Sequence, residues 1–386
     1  MTLLYFSPVP WESYLQRPHY MARYFLAHTG RRVVWIDPYA TRMPRLADIR
    51  SVWQRSRVRP PVPDGLTVVR PAGLPIEPLS TGRWLNRTVL WHRLHGRLPR
   101  FAGGQRLIVG IGRPHSLALS ALERLDPAWS FYDAMDDFPE FYDGRSQRAA
   151  RETEHTITTH VSTILTASSA LWDKFSGHGD KRRMVRNGFD MTGLPPLAPR
   201  PAGPPVFGYV GCVGSWFDWP LVVRLARSLR NALIHIIGPR YVAPPTRLPS
   251  NVKLFPACDH AHVIAHLQQC SAGLIPFKRT RLTQGVDPIK YYAYRAMGLP
   301  VLSTAFGDMA ARHAAEGVFH IGDDGSLEST AYAALGARAD LSDVQRFRDA
   351  HSWERRFSEA RLFTGEGRKA SPRLEPATAG SRAPSR

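Results

Sequence analysis

Residues 133–137 read Asp-Ala-Met-Asp-Asp and follow directly on the short apolar run 130–132. Carboxylates this close raise one another's pKa when they are kept from water. A carboxylate in that condition can take a proton from a hydroxyl within hydrogen-bond reach, which is general-base chemistry. Asp133, Asp136 and Asp137 are the three aspartates of this run. The competing assignment is that these acids cap the next helix or pair with neighbouring arginines.

A second constellation suits an anion rather than a proton. Asp287-Pro288-Ile289-Lys290 reads as a helix start, with Asp at the cap and Pro at the first helical position. An ammonium in the first turn opposes the helix dipole, so Lys290 fits that place best with a diphosphate beside it. Gly211-Cys212-Val213-Gly214-Ser215-Trp216 follows the apolar run 206–210. Its glycines let the backbone approach a phosphate, and Asp218 can cap a following helix whose free N–H groups favour an anion. The spacing is not the dinucleotide Gly-x-Gly-x-x-Gly, so a nicotinamide or flavin role is not supported. The run 273–276 leads into Phe277, Lys278 and Arg279, which line the same pocket or form a solvated loop.

The loop after the first apolar run carries Trp11, Glu12, Tyr14, Gln16, Arg17 and His19. Trp11 and Arg17 precede the helix that continues through Tyr20, Tyr24 and Phe25, and are expected to face a cleft and an acceptor phosphate. His260, His262 and His266 match no zinc spacing with a fourth ligand nearby. Neither a metal nor a cofactor is expected.

The elements that must position these residues are legible as alternation. Apolar runs at 3–6, 33–36, 66–69, 107–111, 130–132 and 163–166 alternate with helical patterns. A second set lies at 206–210, 233–237, 252–255, 273–276, 301–303 and 318–321. Short runs without polar alternation read as buried parallel strands, and alternation with helices makes βαβ units. Two sets of about six strands mean an α/β protein of two Rossmann-like domains. The boundaries are residues 1–195 for a first, acceptor-binding domain, 196–205 for a proline-rich linker and 206–345 for a second, donor-binding domain. A C-terminal helix over 346–364 packs back toward the first domain, and 365–386 is a basic tail expected to be disordered. Ligands of such sheets bind beyond the carboxyl ends of the strands, which is where all three constellations fall.

The segment from Asp287 to Val301, with the helix after Pro288 ending Gly298-Leu299-Pro300-Val301, resembles the nucleotide-sugar loop and helix of bacterial polysaccharide glycosyltransferases. Teichuronic-acid-type transferases and xanthan-type glucuronosyltransferases are the groups it looks like. Gln16-Arg17-Pro18-His19 and Trp216-Phe217-Asp218 also resemble the first group, and Tyr132 to Asp136 matches the Tyr-x-Ala-x-Asp segment of the second. The resemblance spans about residues 1–363. It implies the GT-B fold, two Rossmann-like domains facing across a cleft, and a hexosyl- or glucuronosyltransferase. The donor would be a nucleoside-diphosphate sugar, held by Gly214, Ser215, Trp216, Phe277, Lys278, Asp287 and Lys290, with Lys290 on the diphosphate. Asp136 would be the base, with Trp11, Arg17 and His19 on the acceptor. Many relatives carry a Glu on the donor helix and a second eight residues earlier. Here those positions are Ala293 and Gly285, which points away from the retaining mode.

Composition bounds the partners. The chain has 386 residues, 43% hydrophobic and 22% charged, with a formal net charge of +19, a globular composition with an acidic partner in view. Residues 41–106 hold thirteen Arg against three acids. Within them, Trp84, Trp91, Leu94 and Leu98 fall near one helical face among arginines, which suits a helix lying on anionic lipid. An ordinary helix packing that stripe on the first domain is the alternative. Three cysteines without a close pair and no spanning apolar stretch lead to the expectation of a cytoplasmic protein, peripheral on the inner face of the membrane. A lipid-linked saccharide acceptor would explain that location. A nucleotide-sugar epimerase of the same shape is the rival enzyme. A nucleic-acid binder is the rival by charge alone, but no recognition motif appears, so no nucleic-acid partner is expected.

Overall fold

The central apolar runs form strands buried on both faces, while the runs at 66–69, 252–255 and 318–320 are only partly buried. β1 (Thr2–Phe6), β2 (Val33–Ile36) and β4 (Leu107–Ile111) are buried at every residue. The computed structural model describes residues 1–41, 60–74, 77–101, 103–197, 202–322, 326–337 and 339–364. The remaining strands of the first sheet are β3 (Leu66–Val69), β5 (Trp129–Ala134), β6 (Thr163–Thr166) and β7 (Arg182–Met184). The second sheet holds β8 (Val206–Val210), β9 (Leu233–Ile237), β10 (Val252–Phe255), β11 (Ala272–Ile275), β12 (Val301–Ser303) and β13 (Val318–His320). Their orders are β3-β2-β1-β4-β5-β6-β7 and β10-β9-β8-β11-β12-β13, with parallel pairing throughout. Both are Rossmann-like, with the order reversing beside β1 and β8. All twelve expected runs are strands. β7 was missed because Arg182-Arg183-Met184 is a half-exposed edge strand with no apolar signal.

Register decides where the loops emerge. Phe6 pairs with both Ile36 and Ile111, and Val210 with Ile237, so the carboxyl ends in each sheet align. Helices cover the faces: α1 (Arg17–Thr29), α2 (Ser80–Leu85), α3 (His92–Phe101), α4 (Ser116–Arg124), α5 (Gly144–His160) and α6 (Ser169–Lys174) in the first domain. The second carries α7 (Trp219–Ser228), α8 (His260–Gln268), α9 (Arg281–Gln284), α10 (Ile289–Ala296) and α11 (Leu327–Gly336). No helix of the described residues is long and apolar enough to cross a membrane.

The chain then returns. α12 (Leu341–His351) and α13 (Trp353–Glu359) are separate because Ser352 turns extended and caps α13 through Arg355 N–H at 3.1 Å. α13 belongs to the first domain: Trp353 stacks on Tyr20 of α1 at 5.4 Å and Phe357 meets Tyr24 at 5.3 Å. The outgoing and returning crossings touch, with Phe189 bridged in parallel to Ser352. Gly188 permits this, since a Cβ there would stand 2.9 Å from the His351 carbonyl oxygen. Of the proposed linker, residues 198–201 lie outside the described residues, as does the tail 365–386.

The expected lipid-facing helix is corrected. Residues 80–101 form α2, a π turn (Asn86–Leu90) and α3. Trp91 is 1% exposed and Leu98 is fully buried in the first domain's core, whereas Trp84 is 62% exposed. The stripe therefore divides, one part packing inward and the other facing out.

Candidate active site

Two groups stand out for having no partner. Asp136 follows β5 and is half-buried, and its carboxylate has no hydrogen bond or ion pair among the described residues. Burial pushes its carboxyl up from the ordinary 3.8 to about 7, with Asp133 and Asp137 adding to the rise and Arg17 and Lys290 opposing it. Lys290, on the first turn of α10, is also half-buried and has no counter-ion among the described residues. Its Nζ rests 5.1 Å from the Tyr209 ring and 5.4 Å from the Phe277 ring. Burial lowers the ammonium's pKa, and the nearby Cys212 and Asp136 oppose the fall. The stem lies over Gly211, where a Cβ would come within 2.7 Å of Lys290 Cε. A half-buried cation without an anion can accept a charged hydrogen-bond partner.

The other aspartates at the two strand ends are spoken for. Asp133 takes Arg17 through Nε at 2.9 Å and Nη2 at 2.7 Å. Asp137 accepts from Lys174 at 2.7 Å, and Lys174 also reaches Glu154 at 2.6 Å. Asp137 therefore has its charge compensated and Asp136 does not. Across the cleft, Gly285 faces Asp137, with a Cβ position 3.2 Å from the Asp137 Cβ, and its carbonyl accepts from Ser168 Oγ at 2.9 Å.

Asp287 does not cap the helix. Pro288 is the cap, with no side-chain bond, and Lys290 is the second helical residue. The Asp287 carboxylate instead accepts from Tyr292 Oη (2.8 Å), Arg312 Nη2 (2.9 Å) and Asn187 N–H (2.8 Å). It is 2% exposed and saturated, so it offers nothing to a donor. The remaining donor candidates do come together. The Trp216 ring lies on Gly214, where a Cβ would be 2.5 Å from it. Lys278 donates through its backbone to the Trp216 carbonyl (2.7 Å) and through Nζ to the Ser215 carbonyl (3.1 Å). Phe277 is bridged antiparallel to Phe217 and underlies Lys290. Asp218 caps α7 through Leu221 N–H at 2.9 Å, as its position in the sequence indicates.

The three acceptor candidates are internal, which corrects the expectation that they face the cleft. Arg17 is 1% exposed and spends its guanidinium on Asp133, the Val185 carbonyl (2.6 Å) and Asn187 Oδ1 (3.3 Å). His19 is buried; its Nδ1 accepts from Gln16 N–H and burial drops its pKa to about 4. Trp11 is sandwiched against His19 and Trp35, each at 5.0 Å between ring centroids. His262 pairs with Asp259 at 2.8 Å, and no three metal-ligating side chains gather among the described residues.

The open space lies between the domains. A cleft of about 1230 Å³ is lined by Glu12, Tyr14, Asp37 and Arg70 of the first domain and by Cys212, Arg240, Tyr241 and Cys258 of the second. Asp37, Arg70 and Tyr241 were missed. Each lies one to four residues past the carboxyl end of β2, β3 or β9, so the strand-end rule applied to every strand would have found them.

No family model and no curated protein sequence matches the chain. Solved structures do resemble it. Sucrose-phosphate synthase from Thermosynechococcus elongatus aligns with a TM-score of 0.68 at 12% identity, covering 94% of this chain and 98% of that one. The Anabaena protein HepE in complex with UDP-glucose gives 0.62 at 12% identity, over 94% and 98%. The catalytic domain of starch synthase IV from Arabidopsis thaliana, bound to ADP and acarbose, gives 0.57 at 12% identity, over 94% and 97%. At that identity the likeness is one of fold: two Rossmann-like domains across a cleft, with a C-terminal helix returning to the first.

The unpartnered carboxylate has a consequence for stability. A carboxyl whose folded pKa exceeds its unfolded value costs stability as it ionises, here as pH rises from about 4 to about 7. Asp136→Asn should therefore gain on the parent with rising pH, by on the order of 1–3 kcal/mol between pH 5 and pH 8. Urea unfolding of both proteins at the two pH values measures it. A stability difference that does not change with pH contradicts a buried, unpaired Asp136.

Proposed function

We propose that this chain is a glycosyltransferase that moves a hexosyl or glucuronosyl group from a nucleoside-diphosphate sugar to an acceptor hydroxyl. The observation that carries the reading is the pair of unpartnered charges on opposite domains, a carboxyl near pH 7 and a cation without an anion. Each lies within electrostatic reach of the other. The fold supports it, since HepE holds UDP-glucose and starch synthase IV holds ADP in the same two-domain arrangement.

In this mechanism Asp136 accepts the acceptor's hydroxyl proton. The freed oxygen bonds to the anomeric carbon while the bond from that carbon to the diphosphate oxygen breaks. The negative charge leaves on the nucleoside diphosphate beside Lys290. Lys290 carries the neutralising charge, so the reading is metal-independent. Gly285 and Ala293 stand where retaining transferases that the sequence resembles carry glutamates. Without those glutamates, a single inverting displacement is the course this reading takes.

The acceptor in this reading is a lipid-linked saccharide of surface polysaccharide synthesis, met at an anionic membrane face. The support is the outward part of residues 79–101. Trp84, Val89, Leu79 and Leu90 are exposed beside Arg93, Arg97 and Arg100, none of which has an ion-pair partner among the described residues. Aromatic and aliphatic side chains ringed by arginine suit a headgroup boundary.

Lys290→Ala should weaken nucleoside-diphosphate binding by about 1.5–3 kcal/mol, the scale of a charged hydrogen bond, and calorimetry with unchanged affinity would count against the assignment. Asp136→Asn should leave that binding intact and slow transfer by about 10²–10⁴. In the parent, kcat/KM should fall as pH drops through about 7, because the base must be ionised. Near-normal turnover of Asp136→Asn, or retention of the donor's anomeric configuration by NMR, rules the mechanism out. Liposome co-sedimentation should require anionic lipid, weaken in high salt and fall in Trp84→Ala. Equal binding to neutral liposomes contradicts the membrane reading.

A further inference from the structure

The carboxylates around Asp136 outnumber the cations that serve them. Asp136 itself feels Arg17 of α1, Asp133 of β5, Asp137 beside it and Lys290 of α10. Arg17 and Asp133 cancel, with Nη2 and Oδ1 2.7 Å apart. Within electrostatic reach of Asp137, Arg151 of α5 and Glu140 cancel in the same way, at 2.6 Å. What remains is a cluster of three. Lys174, the last residue of α6, donates through Nζ to Asp137 Oδ1 at 2.7 Å and to Glu154 Oε2 of α5 at 2.6 Å. Neither carboxylate has another cation among the described residues. One ammonium thus answers for two negative charges.

The surroundings hold that ammonium in place. Glu154 is 3% exposed, and its other oxygen accepts from Tyr132 Oη of β5 at 2.8 Å, so it is fixed on both sides. The opposite end of α6 is tied to the second domain. Ser168 Oγ donates to the Gly285 carbonyl at 2.9 Å, and Ser169 N–H donates to the Asp308 carboxylate at 3.2 Å. A helix anchored at both ends leaves Lys174 little freedom. Burial acts to lower its pKa, but Glu154 and Asp137 outweigh burial and the value lies above the ordinary 10.5, so the cation persists at neutral pH.

The residue that gains is Asp136. It has no partner of its own among the described residues, and the charge of Asp137 favours its protonated form. We propose that Lys174 is a positioning residue of the site. It clamps Asp137 and Glu154 together and keeps their charge off Asp136; without it, Asp136 retains its proton at neutral pH and cannot act as a base. This rests on the glycosyl-transfer reading, in which Asp136 is the base, and assigns the pH range of that base to a side chain acting through Asp137.

The test follows the Asp136 carboxyl directly and needs no substrate. The full chain is labelled with carbon-13 at the aspartate carboxyl carbon, and the Asp136 resonance is the one lost in Asp136→Asn. Its titration midpoint should rise by about 0.5–1 pH unit in Lys174→Met, the scale of one unit charge acting across a partly hydrated surface. Lys174→Arg keeps the charge and should leave the midpoint in place. Asp137→Asn should lower it, and the double variant Lys174→Met with Asp137→Asn should return it toward the parent. A side chain that only braced α6 against α5 would loosen the fold without moving the midpoint. The proposal is overturned by an unshifted midpoint in Lys174→Met or, where that variant does not fold, by an unshifted midpoint in Asp137→Asn. The transfer reading fails by a different sign, transfer that survives in Asp136→Asn.

Discussion

The placement of Asp136 and Lys290 hangs on one buried chain of hydrogen bonds, from Asp133 through Arg17 and Asn187 to Asp287 and Arg312. Arg17 binds the Asp133 carboxylate in the first domain and reaches Asn187 Oδ1 in the crossing segment. Asn187 then gives its backbone N–H to the Asp287 carboxylate and its amide to the Asp287 carbonyl, at 2.8 and 2.6 Å. Buried ions are tolerated only when every group is matched, because losing one partner strands a charge in a poor solvent. The arrangement therefore permits little play. Asp136 lies three residues beyond Asp133, and Lys290 three residues beyond Asp287. The two unpartnered charges are each held a fixed step from an aspartate locked into the same network, which sets how they face one another across the domains.

In the proposed reaction, the contrast between matched and unmatched groups gives the site its chemistry. Asp133, Asp137 and Asp287 are satisfied by Arg17, Lys174 and Arg312, while Asp136 and Lys290 have no partner among the described residues. A fold minimising its own free energy would pair them. Holding both half-buried and apart keeps a carboxyl near neutrality and a cation ready for an anion, at a cost in stability that the surrounding network bears.

Much of this was legible. Parallel strands buried on both faces leave uninterrupted apolar runs, so twelve of them could be read directly, and Lys290 was conspicuous because a cation is out of place at a helix start. The strand end marked three aspartates, and only the resemblance separated Asp136 from the other two. The failures share one cause, that a residue's type does not reveal its distant partner. Arg17 looks the same in sequence whether it meets a substrate or Asp133, 116 positions away. Asp287-Pro288 has the form of a helix cap, but Arg312, Tyr292 and Asn187 outcompete the helix for its carboxylate. Trp84 and Trp91 have the same residue type and seven-residue spacing that suggest one face, yet the intervening π turn rotates one out and the other in. Arg70, Tyr241 and Asp37 are single residues after strands, without a motif to mark them.

The returning helix has a consequence for how the molecule is made. Trp353, Phe357 and Leu362 belong to the same core cluster as Leu3, Tyr5, Phe25 and Phe131. The first domain to leave the ribosome is thus the last to be finished. At roughly 5–20 residues per second, the interval between the emergence of β7 and that of α13 is on the order of ten to thirty seconds. Throughout it, α1 presents an unfilled apolar groove, while the second domain, whose core draws mainly on its own sheet, can close first. The nascent chain matures from its far half backwards, and chaperone demand should concentrate on the groove along α1.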